Sequence, residues 1–116
     1  MGDTDNVTYS PFILLTGEAQ SLSNLSLHDG DMLARKHIFE ERMGWLGNGY
    51  DWTSIARVVV DERLPDLRDD VNFDPEGGMF VAIGSTAALR RLGEEMKKVF
   101  DDESSIRDIL GRAELD

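Results

Sequence analysis

The chain has 116 residues, a formal net charge of −11 and no cysteine. That length suits one domain with a single core, and the missing cysteines remove disulfides, thiolate metal sites and thiol nucleophiles. The negative charge argues against a phosphate backbone or an anionic membrane as partner, since either would be repelled. No apolar run approaches the ~20 residues of a membrane helix, and the polar start Gly2-Asp3-Thr4-Asp5-Asn6 is unlike a signal peptide. A soluble, cytoplasmic protein is expected. The charge is skewed: residues 59–116 carry 15 acidic against 8 basic groups, residues 1–58 carry 8 against 4. An acidic binding face is therefore sought in the second half.

Residues 1–8 are polar and are expected to fray. Pro11–Thr16 is a short apolar run ended by Gly17, which suits a buried strand. Leu25 and Leu27 alternate within Ser21–Leu27 while Leu22 is out of phase, predicting a second strand with a bulge. Gly17-Glu18-Ala19-Gln20 would turn the hairpin between them, and His28-Asp29-Gly30-Asp31 reads as a turn. From Met32 to Met43, Leu33, Ile38, Phe39 and Met43 form a helical stripe that Gly44 stops.

The stretch Gly47-Asn48-Gly49-Tyr50-Asp51-Trp52-Thr53-Ser54 joins two glycines, two large aromatics and a helix-start signal. Asp51 is expected to cap a helix from Trp52 to Leu64, ended by Pro65, with Trp52, Ile55, Ala56 and Val59 on its buried face. Asp66–Asp70 is an acidic connector and Val71-Asn72-Phe73 a short strand, followed by the turn Asp74-Pro75-Glu76-Gly77-Gly78. Met79–Ile83 reads as a central strand, apolar on both faces. Ser85 or Thr86 caps a third helix with Leu89, Leu92, Met96, Val99 and Phe100 on one side. Ser104 or Ser105 would cap a last helix carrying Ile106, Ile109, Leu110 and Leu115. These elements predict an α+β fold: a small antiparallel sheet of about four strands, with three to four helices packed mainly on one face.

Tests for chemistry fail one by one. Gly47-Asn48-Gly49 would need a third glycine where Trp52 stands, and no strand precedes it, so it is not a dinucleotide fingerprint. Asp69–Gly77 resembles a calcium loop, but Pro75 replaces the turn glycine in one register and Ile83 the final glutamate in the other. His28 and His37 lack helical metal-ligand spacing, Ser54 and Ser85 have no neighbouring histidine, and Glu40-Glu41 and Glu94-Glu95 point apart on their helices. No catalytic residue, metal or cofactor is indicated.

The pair Gly47–Ala56 and Phe73–Phe80, with the leucine-rich helix and short final helix that follow, resembles the signature of the Immunity protein 51 family, antidotes of bacterial polymorphic toxin systems. The resemblance runs over roughly residues 36–115. It implies binding and inhibition of a cognate toxin, without enzymatic activity, and it carries no contact residues with it. An acidic chain suits a toxin with a basic active site, because complementary charge speeds association. The candidate contacts are Tyr50, Asp66, Asp69, Asp70, Asp74 and Glu76, in which charge guides approach and the aromatic supplies binding energy. The other reading is a small intracellular enzyme or ligand-binding domain that uses the Tyr50/Trp52 turn as a pocket wall.

Overall fold

Runs with period-two apolar residues pair into one sheet, and the two long apolar stripes of period 3.6 form the helices laid across it. The computed structural model describes residues 3–17 and 22–114. Five strands, β1 (Asp3–Asp5), β2 (Ile13–Thr16), β3 (Ser23–His28), β4 (Val71–Phe73) and β5 (Met79–Gly84), form an antiparallel sheet in the order β1-β2-β3-β5-β4. Five helices accompany it: α1 (Asp29–Leu33), α2 (Lys36–Glu40), α3 (Gly49–Arg63), α4 (Thr86–Phe100) and α5 (Glu103–Leu110). The α+β class is as read from the sequence, with one strand more. That strand, β1, lies within the first eight residues, where fraying was expected, and is paired from Asp3↔Thr16 to Asp5↔Leu14.

β3 keeps one register along its length, from Ser23↔Gly84 to His28↔Met79, so the expected bulge is absent and Leu22 precedes the strand, exposed. Of the hairpin turn expected at Gly17–Gln20, all but Gly17 lies outside the described residues, as does Leu115. The helix expected over Met32–Met43 is two short ones, and the turn expected at His28–Asp31 is where the first begins. The break at Ala34–Arg35 turns Met32, Ile38 and Phe39 inward and leaves Leu33 and Met43 in solvent.

α3 starts earlier than expected. Asn48, not Asp51, is its N-cap, and its side-chain carbonyl accepts from the Asp51 N–H at 3.0 Å. Asp51 lies buried in the first turn, and its carboxylate reaches back to accept from Leu46 N–H at 2.6 Å and Gly47 N–H at 2.7 Å. This is a capping box moved outward, with the acid serving the two residues before the cap. Gly49 faces the β4–β5 turn: its N–H donates to the Gly77 carbonyl at 3.1 Å, and a Cβ there would collide with the Glu76 and Met79 carbonyl oxygens. So aligned, α3 drives Trp52 into the core, stacked on Phe100 at 5.5 Å and against Phe39 at 5.3 Å, with its indole N–H unpartnered.

α4 is capped by Ser85 as expected, while Thr86 instead meets the Ser23 hydroxyl at 2.7 Å. α5 is capped by Asp102 rather than by Ser104 or Ser105, because the carboxylate already reaches both the Ser104 N–H and the Ser105 hydroxyl. Two forked arginine pairs tie α5 and the residues after it to the rest of the chain: Arg107 to Glu41 and Arg112 to Glu62.

Two stability predictions follow from the α3 junction. Asp51→Ala should cost about 3 kcal/mol, since two backbone donors lose a charged acceptor, against about 1 for Asn48→Ala. Gly49→Ala should destabilise by about 1–3 kcal/mol by forcing backbone apart, whereas Gly30→Ala, with open space around it, should be neutral or stabilising. Urea melts of the four variants measure both. A third concerns acid. Hydrogen bonds from Arg107 and Arg112 hold the Glu41 and Glu62 carboxyls below their ordinary value of 4.5. Depressed folded values mean a contribution complete above pH 4.5 and lost as pH falls through the lower folded values. The urea midpoint should drop across that acid window, less steeply in an Arg107→Ala/Arg112→Ala double variant.

Candidate binding face

Alternation along the strands divides the sheet into a covered and an open side. Phe80 and Ala82 of β5, Leu25 and Leu27 of β3 and Leu14 of β2 are buried beneath the helices. Their neighbours Met79, Val81 and Ile83, with Ile13, face the other way and are half-buried, and Leu15 is 42% exposed. Register places these in rows: Ile13, Ser26 and Val81 in one, Leu15, Asn24, Ile83 and Asn72 in the next, and His28 with Met79 at the end. Within strands β2 to β5 this side carries no Asp, Glu, Lys or Arg. That is notable in a chain with 30% charged residues, because charge is what usually keeps a sheet face in water.

Acids gather instead along one border. The pairing of β4 with β5 continues past the strand: Asp74 N–H donates to the Val81 carbonyl at 3.0 Å, and Glu76 N–H to Met79 at 2.8 Å. With a period of two, Asn72, Asp74 and Glu76 share the open side, beside the apolar row Met79, Val81 and Ile83, and Asp70 lies in the turn that leads into β4. The three carboxylates are exposed and make no side-chain hydrogen bond or ion pair among the described residues. They run in file along an edge instead of converging, and among the described residues no group of three or more His, Cys, Asp or Glu is placed to hold a metal ion.

Of the six candidate contacts, the structure sets Asp74 and Glu76 on one side of the β4 edge, with Asp70 in the turn before it. Asp66 is drawn off by a forked pair with Arg91, whose hydrogen bonds hold its carboxyl below the usual range. Asp69 is exposed in the same turn as Asp70. Tyr50 is 45% exposed on the first turn of α3, reaching the Glu76 end only through its neighbour Gly49. The residues missed were Ile13, Leu15, Met79, Val81 and Ile83. Their signal was present: a strand apolar on both faces beside helices expected on one side leaves an apolar side uncovered.

The Tyr50/Trp52 turn does not make a pocket wall, because Trp52 is sealed in the core at 0% exposure. A shallow groove of about 320 Å³ does border that turn, between Leu33 and Lys36 on the helices and Leu46 and Asn48 on the loop. The two histidines lie apart. His28 Nε2 meets the Ser26 hydroxyl at 3.2 Å as a same-side strand neighbour, and His37 sits 3.5 Å from Glu103.

Among the described residues no helix is long and apolar enough to cross a membrane. No curated protein and no solved structure matches the chain. A family model does. The model described as Immunity protein 51 matches residues 12–115, which takes in the α3 junction, the acidic row and most of the open face, and the chain belongs to that family.

Proposed function

We propose that this chain binds and neutralises a cognate toxin of a bacterial polymorphic toxin system, without catalysing a reaction, and that it acts in the cytoplasm. Membership of a family named for immunity proteins carries the reading. The charge of −11 supports a partner with a basic active site, since opposite charge raises the encounter rate and is screened beyond about 8 Å at physiological ionic strength. The free carboxylates Asp70, Asp74 and Glu76 are the best placed of the candidate residues to act on such a partner. Tyr50, Asp66 and Asp69 lie at its margins, and Asp66 would first have to leave Arg91. Protein association needs no cofactor or metal, and none is assigned.

The test is co-expression with a toxin domain sought among the genes adjacent to this one. Cells should survive in its presence and die without it; death despite soluble antidote would remove the immunity reading. In purified form, the association rate should fall about tenfold or more from low to high salt. A salt-insensitive rate alongside survival would keep immunity and reduce the acidic surface to a solubility device.

A further inference from the structure

We infer that the open side of the sheet is the surface that takes the toxin. Its uncharged rows pack on an apolar patch, and Asp70, Asp74 and Glu76 meet lysines or arginines along one border of that patch. The inference rests on the immunity reading and adds to it where the toxin binds and what chemistry its own surface must have.

Three observations carry it. The first is the segregation of charge. A stable contact wants an apolar, charge-poor centre and a polar rim, and here Ile13, Leu15, Val81 and Ile83 supply the centre while the acidic file supplies a rim on the β4 side. The second is that these acids are not engaged, whereas Glu41, Glu62 and Asp66 are each held by an arginine fork. An unpaired row beside a neutral face complements a basic border beside an apolar patch, and it would repel an acidic one. The third is that the opposite side of the sheet is already occupied by the helices, so this is the side left to a partner.

A second copy of the chain fits less well. It would bring the same charge of −11 and the same acidic border. The area is also short for a self-pair. The four strands hold four, six, three and six residues, and at about 3.3 Å per residue and about 4.8 Å between strands they present roughly 300 Å², under half of the ~800 Å² per partner in a standard interface. A toxin that also covers the acidic border and the β4–β5 turn can supply the remainder. The groove beside Leu33 and Leu46 is also partly apolar, but it is lined by one charge of each sign, Asp29 and Lys36. It lacks an uncompensated charge of one sign, so it serves as the control.

The probe is the toxin domain whose killing this chain suppresses in the co-expression test, with binding followed by biolayer interferometry. Leu15→Lys and Ile83→Lys put a charge in the centre and should each weaken Kd by tenfold or more, mainly through faster dissociation. Asp74→Asn/Glu76→Gln should slow association and flatten its salt dependence. Leu33→Lys, in the groove, should bind like the parent. Thermal melts accompany each variant; Leu15 is exposed enough that its substitution tests the face even if Ile83→Lys does not fold. Folded centre variants that bind within twofold of the parent would overturn the open-face assignment and leave immunity standing. A parent chain that fails to bind the toxin would overturn the immunity reading, and this one with it.

Discussion

The junction between Gly49 and the β4–β5 turn is the constraint on which the rest of the structure depends. A helix start is pressed onto two backbone carbonyls with no room for a side chain, and its N–H is bonded to Gly77. Asp51, one turn further on, then reaches back to hold Leu46 and Gly47, so the loop before the helix cannot swing away. Backbone-to-backbone contacts of this kind fix orientation more tightly than side-chain packing, because no rotamer can relax them. They aim α3 so that Trp52 meets Phe12, Phe39 and Phe100. They also fix the turn that carries Glu76 and the start of β5. The two stretches that resemble the family signature are thus two halves of one contact.

Charge is arranged by the same architecture. The arginines of α4, α5 and the segment beyond lie over the helical layer, where Arg91, Arg107 and Arg112 each grip a carboxylate from another element. Such exposed pairs individually contribute little, although forked geometry and repetition raise their worth. Their larger consequence is positional. They neutralise Glu41, Glu62 and Asp66 and leave Asp70, Asp74 and Glu76 beside β4 without a counter-charge. An even spread of 23 acidic groups would have produced solubility without direction.

Much of the fold was legible in local pattern. The stripe of Leu89, Leu92, Met96, Val99 and Phe100 has the period of a helix and became α4. Pro65 stopped α3 at Arg63, and the Val58–Val60 run, β-branched though it is, stayed helical because its neighbours bury on that period. The acids of the candidate site were visible as composition, but their grouping was not. Asp69 and Asp70 lie in the turn before β4, whereas Asp74 and Glu76 are aligned by the strand's alternation. Asp66 looked equivalent to them until Arg91, 25 residues away, claimed it.

The sequence by itself determined the class of the fold, the burial of Trp52, the net charge and, through two short stretches, the family. Those are properties of local periodicity, residue chemistry and composition, and they are readable without knowing what lies beside what. Tertiary structure decided which residue caps α3, why Gly49 must be glycine, where the helix after β3 breaks and which acids are free. It also decided that Met79, Val81 and Ile83 face the side of the sheet away from the helices that cover Phe80 and Ala82. Each of these depends on a partner distant in the chain: a carbonyl at Glu76, a guanidinium at Arg91, a neighbouring strand's register. No window of sequence contains both members of such a contact, which is why the uncharged open face emerges only when the sheet is assembled.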